Sequence, residues 1–185
     1  MINTNPTKVI TDTVRFSYAH VWEPASINGG DEKYSVSILI PKSDKKTLAR
    51  IEKAIEAAKE AGKASKFGGK IPANLKLPLR DGDVEREDDE VYAGHYFVNA
   101  NANTKPGIVD KHGQPIMDST EFYSGCYGYA SISFYPFNAN GNRGIACGLN
   151  NLMKTADGDP LGGRSRAEDD FRDLIDDTED NDFLN

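Results

Sequence analysis

The segment that bears most directly on the fold spans residues 127–137, and its sequence is Tyr127-Gly128-Tyr129-Ala130-Ser131-Ile132-Ser133-Phe134-Tyr135-Pro136-Phe137. The even-numbered positions are small or apolar, whereas the odd-numbered positions carry tyrosine, serine and phenylalanine. Successive side chains of a β-strand point to opposite faces. The alternation therefore predicts a strand with one face toward the core and with aromatic and hydroxyl side chains on the other.

Two interpretations of the odd-numbered face remain open. Aromatic rings separated by hydroxyls suit a platform on which the bases of a nucleic acid stack. Alternatively, a helix or a long loop covers this face, because half-buried tyrosines are common in strands. The candidate stacking residues are Tyr127, Tyr129, Tyr135 and Phe137 of this segment, together with Phe97 of a second predicted strand.

Four further segments have the composition and alternation of strands. They are residues 8–18, 33–40, 91–100 and 143–152. In residues 8–18 we expect Ile10, Val14, Phe16 and Tyr18 to share the buried face, and we expect residues 22–31 to form a loop. The pattern of residues 91–100 does not identify the core face, which holds either Phe97 or Val98.

Residues 44–61 are predicted to form one amphipathic helix. Ser43 is a suitable N-cap and Asp44 suits the positive end of the helix dipole. Apolar side chains recur at spacings of three and four, at Leu48, Ile51, Ile55 and Ala58. Gly62 is a suitable C-terminal stop. Residues 63–90, rich in lysine, glycine, proline and aspartate, are expected to form a long loop excursion.

These elements together predict a mainly β protein with one or two helices. Five or more short strands, a helix and glycine-rich loops are typical of an OB-fold-like, five-stranded Greek-key barrel. A β-sandwich with one surface helix is the alternative architecture. Cys126 and Cys147 lie in no metal-binding pattern and are expected to be two buried thiols.

The charge of the chain is unevenly distributed. The net charge is −7, yet residues 168–185 alone hold nine acidic residues and one basic residue, a net charge of −8. The remaining 20 acidic and 21 basic residues give the body a charge of +1. We therefore predict a barrel domain over residues 1–160 and a flexible linker with a disordered acidic tail over residues 161–185.

Such asymmetry indicates binding to nucleic acid or to a protein partner. The candidate phosphate contacts on predicted strands and loops are Arg15, Lys33, Lys66, Lys70, Lys105 and Arg143. Lys66 and Lys70 could instead belong to an ordinary solvated loop. The candidate partner-binding side chains of the tail are Phe171, Leu174, Ile175, Phe183 and Leu184.

A second acidic stretch, residues 80–90, holds seven acidic and two basic residues. Clustered carboxylates are ligands for Mg²⁺ or Ca²⁺, so a metal-dependent nuclease or resolvase that uses Asp81 and Asp83 is one alternative function. The spacing does not match an EF-hand, and the sequence has no nucleophile elbow, P-loop or HExxH motif. A solvated acidic loop is therefore the preferred interpretation, and we expect no enzymatic activity, metal or cofactor.

The sequence also bears on location. No stretch approaches the 18 apolar residues of a membrane helix. Residues 1–8 are polar and lack the apolar segment of a signal peptide. These features predict a cytoplasmic protein without membrane contact.

Several segments in a fixed order resemble a known family. They are Phe16-Ser17-Tyr18-Ala19, residues 32–44, Leu79-Arg80-Asp81-Gly82-Asp83, Phe122-Tyr123-Ser124-Gly125-Cys126-Tyr127, Gly148-Leu149-Asn150-Asn151, Asp157-Gly158 and Leu161-Gly162-Gly163. From about residue 9 onward the chain is similar to the single-stranded-DNA-binding proteins of tailed bacteriophages and prophages.

The resemblance implies an OB-fold, self-association along DNA and cooperative coating of single strands during replication or recombination. It also implies that the acidic tail docks replication or recombination proteins. Tails of this kind often end on an aromatic residue, whereas here Phe183 is followed by Leu184 and Asn185. A third function stays open at this point, an interaction protein that uses its acidic segments and does not bind DNA.

Overall fold

The computed structural model describes residues 5–26 and 29–161, together with residues 171 and 174. Within these residues the protein is mainly β, as predicted. The strands are β1 (Lys8–Ile10), β2 (Val14–Ser26), β3 (Glu32–Pro41), β4 (Arg80–Asp81), β5 (His95–Ala102), β6 (Gly107–Val109), β7 (Tyr127–Ala139) and β8 (Asn142–Ala156). The helices are α1 (Lys45–Ser65) and the one-turn α2 (Gly82–Glu85), with a 3₁₀ turn at Glu90–Tyr92.

Five of the strands pair in a closed ring. Around the ring the order is β2, β3, β5, β8 and β7, and β7 returns to β2. Within this ring, only the pairing of β5 with β8 is parallel. This is the five-stranded Greek-key barrel of an OB-fold, so the predicted fold class is confirmed. The short strands β1, β4 and β6 extend the sheet from this ring.

The long β7–β8 hairpin is closed by a two-residue turn. Asn140 and Gly141 occupy its tip, and both have positive φ angles, 52° and 89°. A two-residue hairpin turn with positive φ at both central positions matches the right-handed twist of the strands it joins, and Asn-Gly adopts it readily. The turn sets the register that places the odd-numbered side chains of β7 on the outer face.

The barrel interior and one face of α1 form a single core. Phe16, Ile38, Val98 and Ile132 lie in it, from four different ring strands, and α1 adds the predicted stripe, with Ile51 fully buried. The helix begins one residue later than predicted, because Asp44 rather than Ser43 is the N-cap and its side chain accepts a hydrogen bond of 3.0 Å from the Thr47 amide.

Gly62 does not end α1, contrary to the prediction. The helix continues to Ser65, and Lys66 is its C-cap. A Cβ atom at position 62 would lie 2.5 Å from Cβ of Pro136 and 2.6 Å from the Phe67 ring. Glycine is therefore required at this position by close packing of the helix on the barrel, not by helix termination.

The predicted strand over residues 8–18 is two strands. The chain bends at residues 11–13, where β1 ends its pairing with β7 and β2 begins. Val9 rather than Ile10 is buried as a result, and Tyr18, expected in the core, is 51% exposed. The strand β2 then continues to Ser26, through the first half of the segment predicted to be a loop.

The excursion over residues 63–90 packs on the barrel. The Phe67 ring is buried in the core, Lys76 pairs with Gly144 of β8, and Arg80 pairs with Phe97 of β5. Both cysteines are buried free thiols, as expected. Across the described residues, no helix is long and apolar enough to cross a membrane.

Candidate nucleic-acid interface

The strand β7 has the two faces that its sequence predicts. Its even-numbered residues, such as Ile132 and Phe134, are buried in the core. On the opposite side, Tyr129 is 38% exposed and Tyr135 is 43% exposed, while Tyr127 and Phe137 are half-buried. We call this side, with Tyr127, Tyr129, Ser131, Ser133, Tyr135 and Phe137, the β7 outer face. Two of its rings are thus accessible to a planar ligand.

Small residues of β8 make room for these rings. Gly148 lies opposite Ser133 in the register and Gly144 lies opposite Phe137. A Cβ atom at Gly148 would lie 3.5 Å from the Tyr135 ring, and one at Gly144 would lie 2.9 Å from the Phe137 ring. The rings therefore lie over the glycines of the neighbouring strand. The sequence signal for this arrangement is the alternation of small residues at positions 144, 146 and 148, which pair with aromatic and serine positions of β7.

The middle of the β7 outer face is polar. The side-chain amide of Asn150 donates hydrogen bonds to the hydroxyl of Ser133, at 2.9 Å, and to that of Ser131, at 3.4 Å. These groups lie between Tyr129 and Tyr135 along β7. The face therefore presents two separated rings with hydrogen-bonding groups between them.

Arg15 and Tyr127 hold the chain that follows β8. The Arg15 guanidinium lies 5.3 Å from the centre of the Tyr127 ring, and it donates to the carbonyls of Gly125, at 3.1 Å, and Asp159, at 2.9 Å. A Cβ atom at Gly158 would lie 2.7 Å from the Tyr127 ring. Both side chains are thus engaged in structural contacts, which leaves them less available to a ligand than Tyr129 and Tyr135.

Phe97 is a packing residue rather than a base-stacking one. Its side chain is on the outer face of β5 but is only 1% exposed. The ring packs edge-to-face on Tyr92, with centroids 5.0 Å apart, and both rings contact Leu39. The Tyr92 hydroxyl donates to Ser37 at 2.9 Å. The segment with the 3₁₀ turn covers Phe97, so the ring offers no surface to a base.

The structure brings together three of the six candidate phosphate contacts. Lys70 and Arg143 line one open cavity of about 530 Å³ beside Gly68 and Gly69. The carbonyl of Lys66 accepts a hydrogen bond from Asn138, the residue that pairs with Arg143. We call Lys66, Lys70 and Arg143 the hairpin-end cations. They lie near Phe137, at the hairpin end of the β7 outer face.

The two other cations lie at the end of β2, away from this cavity. Lys33 is exposed and pairs with Ala25 near the end of β2. The Lys105 ammonium lies 4.5 Å from the centre of the Trp22 ring, whose indole donates to the carbonyl of Phe122. The sequence gives no sign of this cation–π contact, because it predicts a loop over residues 22–31, whereas Trp22 lies in β2.

A lysine forms ion pairs with two carboxylates of the acidic stretch, residues 80–90. The Lys42 ammonium forms ion pairs of 2.7 Å with both Asp81 and Asp83. These hydrogen bonds raise the pKa of Lys42. The Lys42 hydrogen bond, with that from the Gly94 amide, lowers the pKa of Asp83. A cation already lies between the two carboxylates proposed to hold a metal. In the described part of the chain, no three metal-ligating side chains are grouped for metal binding.

Of the tail candidates, only Phe171 and Leu174 fall within the described residues, and both side chains are exposed. Ile175, Phe183 and Leu184 lie outside the described residues. The segment before the tail is fixed to the barrel, since the Leu161 amide donates to the carbonyl of Ser124.

Comparison with solved structures shows the same fold in two phage proteins. The single-stranded DNA-binding protein from bacteriophage Enc34, solved in complex with ssDNA, superposes with a TM-score of 0.74 at 24% identity, over 88% of this chain and 97% of that chain. The single-stranded DNA-binding protein gp2.5 of bacteriophage T7 gives a TM-score of 0.58 at 18% identity, over 90% of this chain and 93% of that chain.

Sequence comparison extends the likeness over nearly the whole chain. Protein p50 of Acyrthosiphon pisum secondary endosymbiont phage 1 is 30% identical over 175 residues, which cover 90% of this chain and 94% of p50. The family model described as "Enterobacter phage Enc34, ssDNA-binding protein" matches residues 7–184. This chain therefore belongs to the Enc34 family of phage ssDNA-binding proteins.

Proposed function

We propose that this protein binds single-stranded DNA by stacking bases on Tyr129 and Tyr135 of the β7 outer face. The observation that carries the proposal is the pair of accessible rings on a barrel strand, separated by the hydroxyls of Ser131 and Ser133. Every base has an aromatic face, so stacking tolerates any sequence. We therefore expect weak sequence selectivity. Tyr127 and Phe137 border the same face.

Membership of the Enc34 family supports the choice of ligand. The Enc34 protein itself has been solved with ssDNA, and this chain has the same barrel. On this basis we assign to the chain the coating and protection of single strands during phage replication or recombination in the host cytoplasm. Self-association along the DNA is part of the proposal.

Phosphate contacts would come from two groups of cations. The hairpin-end cations supply one group, and Lys33 and Lys105 supply the other. Arg15 has two of its donors engaged with backbone carbonyls, so its main role is structural. Since each neutralised phosphate releases counterions, binding should weaken as salt increases.

The proposed function is non-enzymatic and needs no cofactor. Lys42 occupies the position between Asp81 and Asp83 that a metal-dependent nuclease would need for its ion. We assign the barrel domain to residues 1–160 and the acidic tail to residues 161–185. The exposed Phe171 and Leu174 would contribute to the surface that a replication or recombination protein binds.

A titration tests the proposal directly. Fluorescence anisotropy with labelled oligo-dT, duplex DNA and RNA of equal length, at several salt concentrations, should show binding to oligo-dT with a log–log salt slope near −0.7 per neutralised phosphate. No binding to oligo-dT at low salt would contradict the proposal and favour the interaction-protein alternative. The nuclease alternative is tested by incubating labelled single-stranded DNA with the protein and Mg²⁺. That alternative requires cleavage of the DNA by the wild type and loss of cleavage in Asp81→Ala.

A further inference from the structure

Tyr18 has an unusual backbone conformation for its residue type. In β2, Tyr18 and Ala19 together oppose the single residue Val36 of β3, which makes a β-bulge. The φ angle of Tyr18 is 46°, in the left-handed region that bulky residues rarely adopt and that glycine adopts freely. The side chain is half exposed. Bulges often re-aim a side chain beside a functional site, and here the backbone would favour glycine over the tyrosine that it carries.

Arg86 stands beside the Tyr18 ring. Its guanidinium lies 5.3 Å from the centre of the Tyr18 ring and 5.1 Å from that of Tyr92, both within cation–π range. Arg86 is surrounded in sequence by acidic residues, yet none of the salt bridges in the described residues involves it. The guanidinium therefore keeps N–H donors for an anionic ligand while its flat face contacts the rings.

A row of four paired residues, three of them polar, connects the Tyr18 bulge to the β7 outer face. Across neighbouring strands, His20 pairs with Ser35, Ser35 with Asn101, and Asn101 with Gly148. Paired residues share a face, and the alternating neighbours on β3, β5 and β8 lie in the core. The row is therefore on the outside of the barrel, and it ends at Gly148, beneath the Tyr135 ring.

We propose that Tyr18 and Arg86 form a second anchor for single-stranded DNA, in which a base stacks on Tyr18 and Arg86 binds the adjacent phosphate. The strand would then run from Tyr135 past Asn101 and His20 to Tyr18. This inference rests on the proposed function and adds to it the far end of the binding track. His20 is exposed and Asn101 is partly exposed, whereas Ser35 is buried, so bases would contact this part of the sheet at Asn101 and His20.

The dimensions of the row suit a single strand. Between Gly148 and His20 it crosses three inter-strand spacings, about 14 Å along the sheet at roughly 4.8 Å each. Such a length fits within the roughly 4–16 nucleotides that one OB-fold occupies. Beyond Arg86, the exposed Glu87 and Asp88 repel phosphate, so the track should end at this anchor.

Replacing Tyr18 by glycine separates folding from binding. Since glycine adopts positive φ without strain, Tyr18→Gly should keep or raise the melting temperature. Loss of a stacked base should weaken oligo-dT binding by about 5-fold to 150-fold. Tyr18→Phe, which keeps the ring, should bind like the wild type. Tyr18→Asn is the second variant, because asparagine also tolerates this conformation. If neither Tyr18→Gly nor Tyr18→Asn folds, the ring is structural and the proposal is wrong.

Arg86→Gln tests the phosphate contact, with Arg80→Gln as the matched control, since Arg80 lies in the same segment and faces Glu85 at 3.8 Å. Arg86→Gln should flatten the salt slope by about 0.7, the value for one phosphate, and Arg80→Gln should not. The anchor is refuted if the wild type binds, Tyr135→Ala weakens binding, and both Tyr18→Gly and Arg86→Gln bind like the wild type. Failure of the wild type to bind refutes the proposed function instead.

Discussion

At the scale of single residues, Tyr135 allows ring stacking to be tested without disturbing the core. Its side chain is on the outer face, over Gly148, and contributes little to the interior. We expect Tyr135→Ala to remain folded by circular dichroism and to lose about 1–3 kcal/mol of binding free energy, the value of one base stack. Anisotropy titration with oligo-dT measures the loss.

The matched control is Tyr135→Phe. Burial raises the pKa of Tyr135 above the ordinary tyrosine value, so its hydroxyl is a neutral group at pH 7 and removing it changes no charge. The phenylalanine variant should therefore bind like the wild type. A folded alanine variant with wild-type affinity would remove Tyr135 from the interface.

Residue patterns predicted the orientation of β7 but not that of Phe97. Alternation alone placed Tyr129 and Tyr135 outside and Ile132 inside, since every strand obeys a period of two. Phe97 also points outward, yet Tyr92 covers it. Tyr92 lies in a short 3₁₀ turn, and such a turn has no repeating pattern of apolar residues. The sequence therefore gives no sign that Tyr92 covers Phe97.

At the scale of elements, replacing Gly62 of α1 by alanine should destabilise the protein, whereas the same change inside most helices is stabilising. Gly→Ala inside a helix normally stabilises by about 1 kcal/mol through propensity. At Gly62 the added Cβ atom would overlap Pro136 and Phe67. We expect Gly62→Ala to lower the free energy of unfolding by about 1–3 kcal/mol, the usual cost of overpacking, as measured by urea denaturation.

Glu60→Ala is the comparison for that experiment, because Glu60 is exposed in the same turn of the helix. The free energy of unfolding of Glu60→Ala should differ from that of the wild type by no more than about 0.5 kcal/mol. A Gly62→Ala variant that is more stable than the wild type would mean that α1 does not pack on the barrel at Pro136.

The loop that follows α1 carries two of the hairpin-end cations, and their contribution should appear in the salt dependence. Replacing Lys66 and Lys70 by alanine should flatten the log–log salt slope of oligo-dT binding by up to about 1.4, the value for two phosphates. Lys45→Ala with Lys46→Ala, exposed at the other end of α1, is the matched control and should leave the slope unchanged. An unchanged slope in the Lys66 and Lys70 variant would mean that these two lysines do not contact the DNA.

Helices and strands could be predicted where an apolar period continued over many residues. They could not be predicted where pairing with another strand interrupted that period. The Val36, Ile38 and Ile40 alternation predicted β3, and the helical stripe predicted α1. The break at residues 11–13 and the bulge at Tyr18 arise from which strand each segment pairs with. Those partners lie far away in sequence, so local patterns could not indicate them.

At the scale of the whole molecule, the charge distribution predicts competition between tail and DNA. Gly158 and Asp159 are held beside Tyr127 and Arg15, so the acidic tail begins next to the β7 outer face. A short tether keeps such a segment at about millimolar effective concentration. Deleting residues 168–185, which carry a net charge of −8, should therefore tighten oligo-dT binding at low salt.

The gain should shrink at high salt, because the attraction between tail and barrel is screened over about 8–10 Å at ordinary ionic strength. Titrations of the full-length and shortened proteins at two salt concentrations measure it. A chain in which the nine acidic residues are replaced by Asn and Gln controls for length. Equal affinities of all three proteins at low salt would show that the tail does not compete.

The five strands of the ring could be predicted from the sequence, but the short strands β4 and β6 and the closure of the barrel could not. Five segments had strand character, which limited the architecture to a barrel or a sandwich. The choice depends on the parallel pairing of Ala100 with Cys147 and on the return of β7 to Val14. Both contacts join positions more than 40 residues apart, and only the three-dimensional structure shows them.

The proposed stacking of bases on the β7 outer face is tested most directly by photocrosslinking. A single-stranded oligonucleotide that carries 5-iododeoxyuridine is bound to the full-length protein and irradiated, and the crosslinked peptides are identified by mass spectrometry. The geometry predicts adducts on Tyr129 or Tyr135, the two accessible rings of that face. Efficient crosslinking with no adduct anywhere in residues 127–137 would contradict the account.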